Sequence, residues 1–345
     1  MNIRNPWLRV ALSLLVSGAL LYLLTLSIDW QATFATITAI RWRYVPLLAL
    51  FWTLPLACRT FLGQALMQWR IRFMPTFHCL NISFLMNNTL PLRVGDVTRA
   101  VLVARTEDDV SGWAVLASIV IERILDILSV ITILAIVLIF LPVGQQVVIS
   151  GVILGAVSLV GLATLLVIAR YPAPVLRLLD AILARVPPLQ RLGLRAKADS
   201  VIEGVQAMTT VGGVRDVLLW TTLTWGLSLV GSWLLLLVLP DLAAVPNIFA
   251  GIALGLVLIS LAGVIPLTFG NIGAFEGAVV LAFTTIGVTR EAAFAFALLW
   301  HVAVFMTYAV WGTFSLVVGQ FSLADFQQAD DAQRAYSSGE TSSSQ

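Results

Sequence analysis

The chain has 345 residues, 59% hydrophobic and 11% charged, with a formal net charge of +2 and a mean hydropathy of +0.97. Soluble domains are about 45–50% apolar and about 25% charged, so water-soluble enzyme folds are excluded and the chain reads as an integral membrane protein. Two cysteines in apolar context, Cys58 and Cys79, and two histidines, His78 and His301, argue against a disulfide framework or a zinc site, and no cofactor is expected.

Roughly 20 apolar residues cross a bilayer. An apolar run from Val10 to Ile28 is too long for a signal-peptide core and reads as a retained first span. Asp29 to Tyr44 is mixed, with Arg41 and Arg43, and suits an interfacial stretch. A second span, Val45 to Leu66, is followed by Trp69, Arg70 and Arg72, an aromatic and basic interface anchor. Arg59 within it is expected to snorkel to the interface. Thr76 to Leu90 is too short to span and ends in Asn87, Asn88, Thr89 and Pro91. The segment after it carries Arg93, Asp96, Arg99 and Arg105. Spans three and four cover Ser111–Leu141, with Ser111 as N-cap, and Val147–Ala169.

Arg170 to Asp216 is polar and rich in arginine, broken at Pro187-Pro188, with an amphipathic part from Val175 to Ala184 that suits the membrane surface. A fifth span, Val217–Leu239, precedes a loop. Ile248–Ile265 then stops at Pro266, and the turn-rich stretch to Gly273 leads into a short apolar piece, Ala274–Ile286. The last span is Thr289–Val318, and residues 324–345 read as a disordered tail. The expected fold is therefore all-α: a polytopic helical membrane protein of about six full spans. Two re-entrant regions, at about 76–105 and about 248–287, belong to one transmembrane unit over 1–323. With the N-terminus inside, Arg70, Arg72 and the basic 170–216 segment fall inside, while the Lys/Arg-free loops after spans three and five fall outside. Both termini are then cytoplasmic.

The two broken regions resemble each other. Leu90-Pro91-Leu92-Arg93-Val94-Gly95-Asp96 aligns with Ile265-Pro266-Leu267-Thr268-Phe269-Gly270-Asn271, and Glu122-Arg123 aligns with Trp300-His301 in the spans that follow. Entered from opposite sides, such segments would form an inverted repeat, a pointer to a central transport site. Two ordinary interfacial loops with proline stops are the alternative.

Three motifs carry a family resemblance: the run from Asn88 to Arg99, then Glu122-Arg123-Ile124-Leu125-Asp126, then Gly270-Asn271-Ile272-Gly273-Ala274-Phe275-Glu276. Together they resemble the lysylphosphatidylglycerol synthase transmembrane-region family, also called flippase-like, over roughly Leu12 to Val318. The late family motif has a proline and a second glycine where this chain has Phe269 and Asn271, which bears on backbone geometry there. The resemblance implies a bacterial inner-membrane protein that moves lipids or lipid-linked substrates between leaflets. The soluble aminoacyl-transferase domain of the name-giving members does not follow in this sequence. Membrane lipids are the implied partners, with a homo-oligomer or cell-envelope biosynthesis proteins as further candidates and no nucleic acid.

Ionisable residues in hydrocarbon persist when paired or functional. Glu122 and Asp126 share a helix face and Arg123 can pair with Asp126, so these three read either as a stripe facing a cavity or as an ion-pair network locking spans together. Arg93 and Arg99 flank Gly95-Asp96 at the first break. A guanidinium fork matches phosphate and glycine permits close approach, which suits headgroup capture; anchoring to anionic lipid is the alternative. Asn88, Gly270, Asn271 and Gly273 belong to the same breaks. Glu276 suits a half-helix N-terminus and could bind a cationic headgroup or carry a proton, with His301 able to titrate. A lipid-modifying enzyme and a non-transporting membrane partner are the competing classes. No P-loop motif appears.

Overall fold

The computed structural model describes residues 6–26, 28–39, 41–89, 94–107, 109–141, 144–185, 194–263 and 268–319. Expectations resting on Pro91, Arg93, Pro187, Pro188, Arg191, Pro266 and the tail 324–345 lie outside these residues. Those described fold into helices α1 (Pro6–Thr25), α2 (Trp30–Thr38), α3 (Val45–Leu66), α4 (Phe73–Thr89), α5 (Val94–Thr106), α6 (Gly112–Phe140) and α7 (Gln145–Arg170). They continue as α8 (Pro172–Arg185), α9 (Leu194–Val205), α10 (Val211–Trp233), α11 (Ile248–Ala262), α12 (Ala274–Thr284) and α13 (Arg290–Val318). Among the described residues five helical segments are long and apolar enough to cross a membrane, and a sixth is reached if the bent α1–α2 pair counts as one span. The chain is a multi-pass, all-α membrane protein.

The first span departs from a straight crossing. The chain turns by 95° between α1 and α2, because Asp29 starts a new helix by accepting hydrogen bonds from the backbone N–H groups of Gln31 (2.8 Å) and Ala32 (3.3 Å). Ser111 caps α6 as expected, its hydroxyl oxygen accepting from the Ala114 N–H at 3.1 Å. The polar 170–216 segment is only partly a surface helix. A Cβ on Gly204 of α9 would lie 2.3 Å from the Ala114 carbonyl oxygen of α6, so α9 is docked on a span.

Two helical hairpins organise the interior. The base of the first, α4–α5, is closed by Arg72, whose backbone N–H donates to Glu107 at 3.1 Å and whose guanidinium donates to the Thr106 carbonyl at 2.8 Å. Its arms cross at Gly95, where a Cβ would stand 2.1 Å from the Ser83 carbonyl oxygen. The base of the second, α11–α12, is closed where Gly251 packs on Ile286, with Gly255 facing Ala282 deeper in.

α10 fixes their sense. At its start Asp216 accepts from Trp69 at the base of the first hairpin (3.3 Å). At its end Trp233 donates to the Phe249 carbonyl at the base of the second (3.1 Å). At about 1.5 Å per residue the bases are about 25 Å apart along the helix. The tips nonetheless meet: a Cβ on Gly270 would lie 3.1 Å from the Asn88 carbonyl oxygen. The hairpins therefore have their bases at opposite ends of α10 and touch inside the bundle.

Candidate functional site

A cavity lies beside the meeting tips. Its two lobes, about 240 and about 390 Å³, share Arg59, Trp225, Ser228, Ser260, Phe275 and Tyr308. The larger lobe reaches both tips at Asn88 and Asn271. Small-molecule sites occupy about 300–1,000 Å³, and this lobe falls within that range. Its polar wall is an unbroken chain of charge. Asp126 on α6 accepts two hydrogen bonds from Arg59 of α3 (2.8 and 3.0 Å), one from the Trp225 indole of α10 (3.0 Å) and a long one from Arg123 (3.4 Å). Arg123 places its other terminal nitrogen on both oxygens of Asp96, at 2.8 and 3.1 Å. Opposite charges at hydrogen-bond range are what makes ionised groups tolerable there.

The expected site residues divide. Asn88, Arg123, Asp126, Asn271 and His301 line the larger lobe, and Asp96 stands behind Arg123. Arg93 is outside the described residues. Arg99 and Glu122 form a bidentate pair at 2.8 and 2.8 Å, with side chains 5% and 3% exposed, and line neither lobe, an arrangement in keeping with the expected alternative of an ion-pair network locking spans together. Arg99 is committed to a carboxylate in the core and is no headgroup ligand in this geometry. Gly95 is likewise occupied within its own hairpin. The backbone that approaches it is the Ser83 carbonyl of its own hairpin, and its N–H donates to the Asn87 side chain at 2.9 Å.

Arg59 is the residue that sequence reasoning missed. Instead of snorkelling it turns into the cavity, onto Asp126. Its signal was an arginine inside an apolar span; nothing in the sequence tied it to Asp126, 67 residues away. Tyr308 and Trp225 were invisible for the same reason, being two aromatics among many.

The second tip is built from left-handed backbone. Gly270, Asn271 and Gly273 have φ of 56°, 59° and 85°. Asparagine is among the non-glycine residues that best tolerate this region, so Asn271 fits the turn. The tip is held by α1, where Ser17 accepts from the Phe269 N–H at 2.8 Å and Leu20 leaves no room for a Cβ on Gly273.

Glu276 and His301 hold it from the other side. Glu276 accepts from the Gly273 N–H at 2.7 Å and lies 2.6 Å from Nδ1 of His301, whose Nε2 is 3.0 Å from the Gly270 carbonyl oxygen. Each hairpin thus carries a carboxylate in the first turn of its second arm, Asp96 and Glu276. Each carboxylate meets a basic side chain on the helix that follows, Arg123 and His301. Structure pairs Asp96 with Glu276, whereas the motifs align Asp96 with Asn271.

Among the described residues no group of three or more His, Cys, Asp or Glu side chains could hold a metal ion. A family model described as the lysylphosphatidylglycerol synthase TM region matches residues 10–312. Comparison with curated proteins and with solved structures finds no match.

Proposed function

The chain belongs to the family of the lysylphosphatidylglycerol synthase TM region, and from that membership we propose that it is a lipid translocator, moving a phospholipid or lipid-linked headgroup between the leaflets of the bacterial inner membrane. The observation that carries this reading is the cavity where two hairpins with bases at opposite ends of α10 meet, walled by Arg59, Asp126 and Arg123. A headgroup does not cross about 30 Å of hydrocarbon unaided. Irregular backbone at membrane depth is accepted where protein buries it or a polar cavity solvates it. The paired carboxylate–base contacts of the two hairpins support descent from an inverted repeat, the architecture in which central transport sites lie at the repeat interface. As a translocator the protein makes and breaks no covalent bond, and its ligands are membrane lipids.

Arg70, Lys197 and Arg215 gather with other basic residues at the base of the first hairpin, which supports a cytoplasmic assignment of that face and of both termini. Reconstitution tests the function. Purified protein in liposomes is expected to carry headgroup-labelled lipid between leaflets. Asp126→Asn, which weakens the hold on Arg59 while keeping its shape, is expected to lower the rate by at least about tenfold, the size of effect that 1.4 kcal/mol produces. Unchanged leaflet distribution with wild-type protein across anionic, zwitterionic and cationic lipids would contradict the reading, and altered lipid chemistry would replace it with an enzyme.

A further inference from the structure

The two hairpins are latched differently. Arg123 stays charged against Asp96, because a guanidinium keeps its proton in proteins. His301 against Glu276 has no such fixed charge. The Gly270 carbonyl can only accept, so Nε2 of His301 bears hydrogen in this contact. Nδ1 lies 2.6 Å from the Glu276 carboxylate, and that bond needs one further proton, carried by the ring or by the carboxyl. Without it a bare nitrogen lone pair would face a carboxylate oxygen, and the two groups must part. Phe275 stacks on the ring at 4.4 Å and fixes its plane, so the pair cannot relieve the clash by ring rotation alone.

We propose that Glu276 and His301 form a proton-binding site, with H⁺ as the coupling ion of the translocator, and that loss of this proton releases the tip of the second hairpin from α13. This inference rests on the translocator reading and supplies its coupling. Glu276 also holds the Gly273 N–H, and His301 the Gly270 carbonyl, so one proton secures both left-handed glycines of the tip. Gly270 in turn abuts Asn88 of the first hairpin, and releasing it opens the contact between the tips. His301 lines the larger lobe, giving the proton an exit through the cavity.

The charged and titratable groups around that lobe are Arg59 of α3, Asp126 and Arg123 of α6, and Tyr308 of α13, with Asp96 of α5 behind. The arginines and aspartates balance one another. From α1, Ser17 and Leu20 face the tip, and from α11, Ser260 faces the cavity; none is ionisable at ordinary pH.

The test uses full-length protein without a histidine tag in liposomes. His78→Gln leaves His301 as the sole histidine, observed through ¹⁵N-labelled imidazole. As the pH is raised, Nε2 is expected to keep its hydrogen while Nδ1 changes from proton-sharing to bare. Backbone hydrogen exchange at 268–276, corrected for its intrinsic pH dependence, is expected to rise with that change. Glu276→Gln offers an amide donor to Nδ1 and a carbonyl to Gly273, imitating the protonated latch; its Nδ1 signal and tip exchange are expected to stay constant with pH. In the same liposomes a pH gradient is expected to drive net lipid movement by wild-type protein and not by Glu276→Gln. A His301 ring that never changes state, or equal tip exchange in both proteins, overturns the proton site even if lipid moves. A titrating pair in a protein that moves no lipid keeps the site and overturns the translocator.

Discussion

A guanidinium in hydrocarbon costs roughly 2.5–3.5 kcal/mol on insertion scales, and among the described residues carboxylates lower that cost for three interior arginines: Arg59 with Asp126, Arg99 with Glu122, Arg123 with Asp96. The three pairs differ in exposure and hence in use. Arg99 and Glu122 are sealed behind α3, where Gly63 leaves room for the guanidinium; a Cβ there would sit 2.7 Å from Nη2. This pair locks α5 to α6 and does not reach the cavity. Removing one partner strands a buried charge, so Glu122→Ala is expected to lower stability by about 3–5 kcal/mol. The thermal unfolding midpoint of purified protein in detergent reads this, and the double change Arg99→Met with Glu122→Leu is expected to recover much of the loss. A single variant as stable as wild type would show that the pair is not a lock. Arg59 and Arg123, more exposed, stand at the cavity wall with Asp126, where under the proposed function a headgroup competes for them.

At the scale of elements, the second hairpin depends on a turn that few residues can make. Asn271 at φ 59° is expected to accept glycine with little change in melting temperature. Valine there forces a β-branched side chain into the left-handed region at a cost on the order of 1–3 kcal/mol. A destabilised Asn271→Val beside a near-neutral Asn271→Gly is the expected pair of results, and equal stability of the two would contradict the turn. The short apolar pieces and their turn residues announced both hairpins in the sequence, since Thr76–Leu90 and Ala274–Ile286 are too short to cross and stop at polar or glycine-rich breaks. What they did not announce was the close crossing at Gly95. The glycine reads equally as room for a ligand or room for a carbonyl, and only the packed hairpin distinguishes the two.

Across the whole molecule, hydropathy sums over about 20 residues per span, so single misjudged positions do not shift a crossing, and the spans from α3 onward were legible. The right-angle turn after α1 was less so, because it rests on one capping aspartate. Pairings between spans were not legible, as Arg59 and Asp126 show. Charge partners are chosen by packing, and an apolar helix offers no local sign of which face it turns inward. The central claim is that the hairpin tips, Asn88 on one side and Asn271 on the other, must part to pass a headgroup. Cysteines at these two positions, in a protein with Cys58 and Cys79 replaced by alanine, bridged by a short reducible thiol cross-linker, test it most directly. The account predicts efficient bridging, lipid movement that stops on bridging, and recovery on reduction. Free lipid movement by the fully bridged protein would contradict it.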